Sequence, residues 1–406
     1  MSATVLVLDG FGVGAMPDAG ALRPSDAGAD TLGHLVRWCA DERGEPLRVP
    51  HLASCGLDAL RPDLRLDTTG GAAVRAVARR AALGYPGADS FAGHQTMMGA
   101  DLSHVALSRV GECLDEVVDA LERAGHRCRL LDGRPLVVVD DHLLLHDNLE
   151  ADPGLNWNVS ASLDEVSWEA VVDVATVARR VAPVARVIAV GGHSQAPLVR
   201  AVRDGAEGTV GLDTPASGFY RNGGLRVQHM GVAIDHAQQL PELAARSGLG
   251  VTLLGKAADL LVTDTEVHRV PGVDTTELLA ATTTAVAGGG LVVANVQQTD
   301  LAGHQRDPGR FAALLEEVDA AIPAMLAHLA PADLLVVTAD HGNDPTAGHA
   351  FHTREHAPVL AVVPGRGPAR AATDLPTLAD VGGGVARHLG LDVSRLGNGR
   401  GVVLLG

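Results

Sequence analysis

Three short apolar runs, Thr4 to Leu8, Leu291 to Val296 and Leu334 to Val337, are each followed within a few residues by acids and histidines. A continuous run rich in Val and Leu suits a strand covered on both faces, and such strands belong to parallel sheets flanked by helices. A sheet of this kind gathers the residues just past its strands along one edge, which is where open α/β folds hold ligands. Here that edge would receive Asp9, Asp300, His304, Asp340, His341 and His352. The densest stretch is TADHGNDPTAGHAFHTRE, Thr338 to Glu355. It sets Asp340 beside His341 and adds His352 eleven residues on, a pattern that suits a divalent metal beside an open cleft and, taken alone, equally suits a solvated loop. Asp300 and His304 are four apart and share one face of a helical turn. Six oxygen and nitrogen ligands divide between two metals, each left with an open position. Two ions about 3.5–4 Å apart clamp the attacking and leaving oxygens of an in-line phosphoryl displacement.

Asp9 opens a Gly-rich turn, GFGVG, whose regular spacing and lack of a closing acid do not make a dinucleotide fingerprint. Asp30 or Thr31 is expected to cap a helix from Leu32 to Cys39. Ser90, in YPGADSFAGHQTMMG, either caps a helix or presents its hydroxyl to phosphate at that helix's N-terminus. Between Asp101 and Thr214 no cluster has metal-ligand spacing. Helices at Glu112 to Ala124 and Glu169 to Val181, strands at Leu136 to Val139 and Arg186 to Val190, and a polar stretch from Asp140 to Ser167 read as an inserted α/β cap that chooses the substrate. The division expected is a core at 1–99 and 218–406 and a cap at 100–217. Core strands are predicted at Val251 to Leu254 and Pro358 to Val363, with helices at Thr275 to Ala287 and Pro308 to Ala330, the latter kinked at Pro323.

A formal charge of −17 argues against nucleic acid and anionic membranes as partners, because phosphates need clustered Lys and Arg. With no apolar run long enough to span a bilayer and no basic stretch at Met1 to Asp9, a soluble, cytoplasmic protein is expected. The four cysteines, Cys39, Cys55, Cys113 and Cys128, make neither CxxC spacing nor a disulfide framework. Lys256 is the only lysine.

LDGFGVGAMPDA around Asp9, GADTLGHL, GADSFAGH followed by MMG, TDLAGH, and TADHGNDP followed by HTRE resemble the phosphopentomutase family of the alkaline phosphatase superfamily, in which the same motifs occur in this order. The resemblance covers about residues 1–99 and 225–406. It implies an alkaline-phosphatase-like α/β core with a mostly parallel sheet plus the inserted cap. It further implies two divalent metals, usually Mn²⁺, one held by Asp300, His304 and His352 and the other by Asp9, Asp340 and His341. Ser90 matches the residue, usually Thr, that takes the phosphoryl group. Lys256 matches a lysine expected on substrate phosphate, and Arg221, Arg354 and Ser160 are further candidates for substrate contact. The implied partner is a sugar phosphate, with a bisphosphate as activator.

The chain also departs from the family. GHQTMMG stands where GHWEIMG is usual, the Asp300 to His304 spacing is one shorter, the sugar-reading TSAD appears as Val159-Ser-Ala-Ser162, and the usual RHDYALKP is missing after Arg221. The first expectation is a phosphomutase acting on a pentose phosphate or a relative. The second is a phosphohydrolase, or a mutase for another phosphate or phosphonate. A non-catalytic metal-binding protein is the third.

Overall fold

The computed structural model describes residues 1–149, 151–365 and 367–406. It falls into two compact units, one built from Met1–Ser103 with Asp235–Gly406 and the other from His104–Ile234.

The first unit is organised on an eight-stranded sheet in the order His268–Val270, Val251–Gly255, Leu291–Val296, Ala3–Leu8, Leu334–Thr338, Ala357–Pro364, Val74–Ala81 and Arg370–Ala371. The first five run parallel, with Leu8 opposite Val296 and Val7 opposite Thr338. Ala3–Leu8 and Leu291–Val296 are buried along their whole length, as unbroken apolar runs require. The three strands that precede the expected ligands are therefore neighbours at the centre, and their carboxyl ends share one edge of the sheet. Ala357–Pro364 alone opposes the others, pairing antiparallel with Leu334–Thr338 and with Val74–Ala81.

Helix limits agree closely with the expected ones. Thr31–Trp38 is capped by Asp30, which accepts from Gly33 N at 3.1 Å, and His34 pairs with Asp344. Thr275–Gly288 stops at Gly289. Pro308–Ala327 continues through Pro323 for another turn, in which Ile322 and Met325 are buried, then ends three residues short of Ala330.

The second unit has a six-stranded sheet in the order Arg226–Gly231, Arg186–Gly192, Asn156–Ser162, Leu143–Asp147, Val137–Val139 and Cys128–Leu130. Leu114–Arg123 and Trp168–Val181 pack on one face through Val117, Leu121, Val171, Val174 and Trp157. The polar stretch Asp140 to Ser167 contains two of these strands. On these strands His146, Asp147, Asn156, Asn158, Ser160 and Ser162 are buried. Asp147 accepts from Val110 N (2.8 Å) and Val210 N (3.0 Å), and His146 Nε2 meets Ser160 Oγ at 2.9 Å. Burial pushes the His146 imidazole down to about 4. A histidine held neutral this way supports folding above its unfolded value near 6.5, and that support is lost as pH falls toward 4, worth about 3 kcal/mol in full. Urea denaturation should therefore show the 104–234 unit weakening between pH 6.5 and 4, and His146→Leu should flatten that dependence. Equal slopes would remove His146 as the cause.

The four cysteines are free. Among the described residues, no helix is long and apolar enough to cross a membrane.

Candidate metal centre

Asp9 comes directly after Ala3–Leu8, Asp300 and His304 lie on the helix Gln298–His304 behind Leu291–Val296, and Asp340 and His341 come just after Leu334–Thr338. Ser90 begins the helix Ser90–Met97, whose cap is Asp89, accepting from Ala92 N at 2.8 Å. With capping done by its neighbour, the Ser90 hydroxyl turns inward, donating to Asp340 Oδ2 at 2.8 Å and lying 3.4 Å from Asp9 Oδ1. Gly93 makes this approach possible. A Cβ there would stand 2.6 Å from the Asp340 carbonyl oxygen, so any larger residue would push Ser90's helix off the strand end.

The three carboxylates share one design, in which protein donors hold one oxygen and the other faces the centre. Asp9 Oδ2 accepts from Asn295 Nδ2 and Lys256 Nζ, both at 2.8 Å, which leaves Oδ1 toward Ser90 and His341. Asp340 Oδ1 takes the backbone N–H groups of Gly10 and His341, each at 3.1 Å, and Oδ2 faces Ser90. Asn343 Nδ2 donates to Asp300 Oδ1 at 2.8 Å, while Oδ2 lies 3.3 Å from His304 Nε2.

The imidazoles repeat the arrangement. Nδ1 of His304, His341 and His352 sits 2.6, 3.0 and 2.9 Å from the carbonyl oxygens of Ala350, Gly342 and Ala88. A carbonyl only accepts, so each Nδ1 carries its proton and each Nε2 is presented inward, as metal-ligating histidines are usually oriented. His304 and His352 place their Nε2 atoms 3.1 Å apart. His341 Nε2 is buried without a hydrogen-bond partner, 3.3 Å from Asp340 Oδ2 and 3.6 Å from Asp9 Oδ1. An orphaned imidazole nitrogen between carboxylate oxygens is satisfied by a cation, so these residues fit the metals the sequence implied. Two overlapping triplets have ligand atoms close enough to share an ion, Asp9 with Asp340 and His341, and Asp300 with His341 and His352. His341 thus sits between the two groups, and His304 flanks the second through Asp300 and His352.

Among the protein groups, charge is unevenly distributed. Burial, then the Asp340 carboxylate, push Asp9 up to about 6 despite Lys256. Burial opposes ionisation of Asp340 and Asp300 too, but His341 and His94 hold the first well below the usual carboxylate range, and His352, His304 and Lys256 do the same for the second. His304 overcomes burial through its bond to Asp300 and rises to about 9, whereas burial and the nearby His341 lower His352 to about 3. The Lys256 ammonium also resists burial, held well above its ordinary value by Asp9, Asp300 and Asp340.

The eight residues Asp9, Ser90, Lys256, Asp300, His304, Asp340, His341 and His352 are thus brought together. Of the other expected substrate contacts, Arg354 has its guanidinium engaged elsewhere. Arg354 is 7% exposed, with Nη1 on the carbonyl oxygens of Tyr85 (2.8 Å) and Gly87 (2.5 Å) and its other nitrogens on Asp18 at 2.9 and 2.8 Å. Its guanidinium is spent anchoring the turn that leads to Ser90. Arg354→Met should cost roughly 2–4 kcal/mol by leaving two carbonyls unpaired, visible as an earlier urea midpoint with KM for substrate unchanged. A raised KM at normal stability would restore its phosphate-contact role. Arg221 and Ser160 lie in the 104–234 unit, the first exposed and donating to Pro215 O at 3.4 Å, the second buried against His146.

Sequence spacing missed Asn295, Asn343 and His94. His94, one turn beyond Ser90, is buried with Nδ1 2.8 Å from Ser90 O and 3.2 Å from Asp340 Oδ2. The signal available for Asn295 was a lone amide inside the apolar run LVVANV.

The model of the Metalloenzyme superfamily matches residues 260–393, which span Asp300, His304, Asp340, His341 and His352. A phosphopentomutase of Methylobacterium radiotolerans is 33% identical over 96% of this chain and 97% of that protein. Another, of an Anaeromyxobacter species, is 31% identical over 95% of each. Among solved structures, the phosphoglycerate mutase of Leishmania mexicana is similar at 15% identity and a TM-score of 0.46, over 96% of this chain and 95% of that one. Near-complete coverage at this identity, with the metal-type residues assembled at one sheet edge, shows that the chain belongs to the phosphopentomutase family, within the metalloenzyme (alkaline phosphatase) superfamily.

Proposed function

We propose that this protein moves a phosphoryl group between two positions of a pentose phosphate or a related sugar phosphate, through a phosphorylated Ser90. The observation that carries this reading is the Ser90 hydroxyl itself, buried and directed at Asp340 Oδ2 and Asp9 Oδ1, two carboxylates of the first ligand group. Asp9, Asp340 and His341 would hold one divalent ion and Asp300, His304 and His352 the other, with Mn²⁺ the family's usual metal. Bound there, the ions supply stabilisation of a serine alkoxide and of charge on the transferring phosphoryl oxygens.

The side chains do the remaining work. Asp340 Oδ2 accepts the Ser90 hydroxyl hydrogen bond and so aims the oxygen for in-line attack. Phospho-Ser90 gives its group to the free hydroxyl of the sugar monophosphate, and the bisphosphate so formed returns its other phosphate to Ser90, regenerating the phosphoenzyme. The same bisphosphate would therefore serve as activator. Transfer requires that water be kept from phospho-Ser90, and the burial of Ser90, Asp9 and Asp340 supports that requirement.

Hydrolysis, or transfer on a different phosphate, is the second reading, favoured by the altered cap motif. Ser162, which replaces the family's Asp, is bonded to Asp164, itself paired with His193 at 2.7 Å. The altered GHQTMMG does not add to that reading. Gln95 is buried and bonded to Leu260 O and Gln239, so at that position the departure is a packing change. Mn²⁺-loaded protein should interconvert ribose 5-phosphate and ribose 1-phosphate with little free phosphate. Rapid phosphate release would select the hydrolase.

A further inference from the structure

We infer that Lys256 is a fixed counter-cation of the carboxylate centre, one that loosens metal binding and raises the centre's net charge to suit a phosphoryl dianion. The inference rests on the two-metal reading and is indifferent to the choice between mutase and hydrolase. Nζ stands 2.8 Å from Asp9 Oδ2 and 3.8 Å from Asp300 Oδ2, touching one carboxylate of each ligand group, and the side chain is only 17% exposed. The backbone is shaped to put it there. Gly255 has φ +62°, and a Cβ on it would lie 2.6 Å from the Asn295 carbonyl oxygen. The strand therefore ends hard against its neighbour, and Lys256 opens the next helix beside Asp9. In a chain whose every other long basic side chain is arginine, this one position holds lysine. A compact ammonium fits between two carboxylate oxygens, where the planar guanidinium fork would demand a different arrangement of acceptors.

The electrostatic consequence has two parts. Asp9 is shared, its Oδ2 occupied by the ammonium while its Oδ1 faces the metal group. A cation on each oxygen of one carboxylate repels the other, which at an effective dielectric of about 20 amounts to several powers of ten in affinity before relaxation. Against this, the lost hydrogen bond to Asp9 is small, because Asn295 still holds Oδ2. Three carboxylates facing two divalent ions leave one net positive charge. Lys256 makes it two, the match for a phosphoryl dianion.

Equilibrium dialysis with Mn²⁺ of the full-length protein, Lys256→Gln and Lys256→Met provides the test. Gln keeps a donor for Asp9 without the charge, and Met keeps neither. Both variants should bind Mn²⁺ at least about tenfold more tightly than wild type. Unchanged or weaker binding in a folded variant overturns the proposal, since a lysine that only recruits substrate would alter KM alone and a lysine that only positions Asp9 would weaken the metal. Should Lys256→Met not fold by circular dichroism, Lys256→Gln decides. Wild-type protein that binds no Mn²⁺ would instead overturn the two-metal reading.

Discussion

Ser90→Ala should lower turnover by at least about 10⁴-fold and abolish the phosphoenzyme, while manganese content stays near that of wild type. The reason is the division of labour at the centre. Six side chains supply the proposed metal ligands, each preset by a protein donor or a backbone carbonyl, so removing one hydroxyl leaves that frame intact. The group that disappears is the only hydroxyl found between Asp340 Oδ2 and Asp9 Oδ1 among the described residues. Intact mass spectrometry should show a phosphorylated fraction in wild type and none in the variant. An unchanged modified fraction would remove Ser90 from its role.

Asp340→Asn should release at least one metal ion and cut turnover by about 10³-fold or more. Asp340 Oδ1 accepts two backbone N–H groups, and Oδ2 meets Ser90 Oγ at 2.8 Å and His94 Nδ1 at 3.2 Å. An asparagine that keeps its oxygen on the backbone donors must turn an N–H₂ group toward Ser90 and His341, replacing an anionic acceptor with a neutral donor. Outer partners of metal ligands cost about 10–100-fold in affinity when lost, and a ligand costs more. Elemental analysis after dialysis measures this, and full metal content would sink the ligand assignment.

The three central strands and the residues at their carboxyl ends were legible because a buried parallel strand leaves an uninterrupted apolar run, and Asp9, Asp300 and Asp340 come at or shortly after the ends of such runs. The reversed sense of Ala357–Pro364 was not, since burial on both faces looks the same in either direction. Val74–Ala81 does not show because arginines interrupt it, and Asn156–Ser162 because buried Asn156, Asn158, Ser160 and Ser162 break its apolar pattern. Arg354 shows a limit of another kind. Its place in HTRE is readable, but whether its guanidinium faces phosphate or the Tyr85 and Gly87 carbonyls depends on a turn more than 260 residues away. Lys256 could be singled out by composition, whereas its partner Asp9 emerged only when Val251–Gly255 was placed two strands away from Ala3–Leu8.

Every step of the proposed chemistry depends on Ser90, set against Asp9 and Asp340, carrying the phosphoryl group. Mn²⁺-loaded protein incubated with ³²P-labelled ribose phosphate, quenched and digested, shows where that group goes. Label is expected on the peptide that contains Ser90, and none when metal is removed by chelation. Label on another residue, or label that persists without metal, would contradict the assignment.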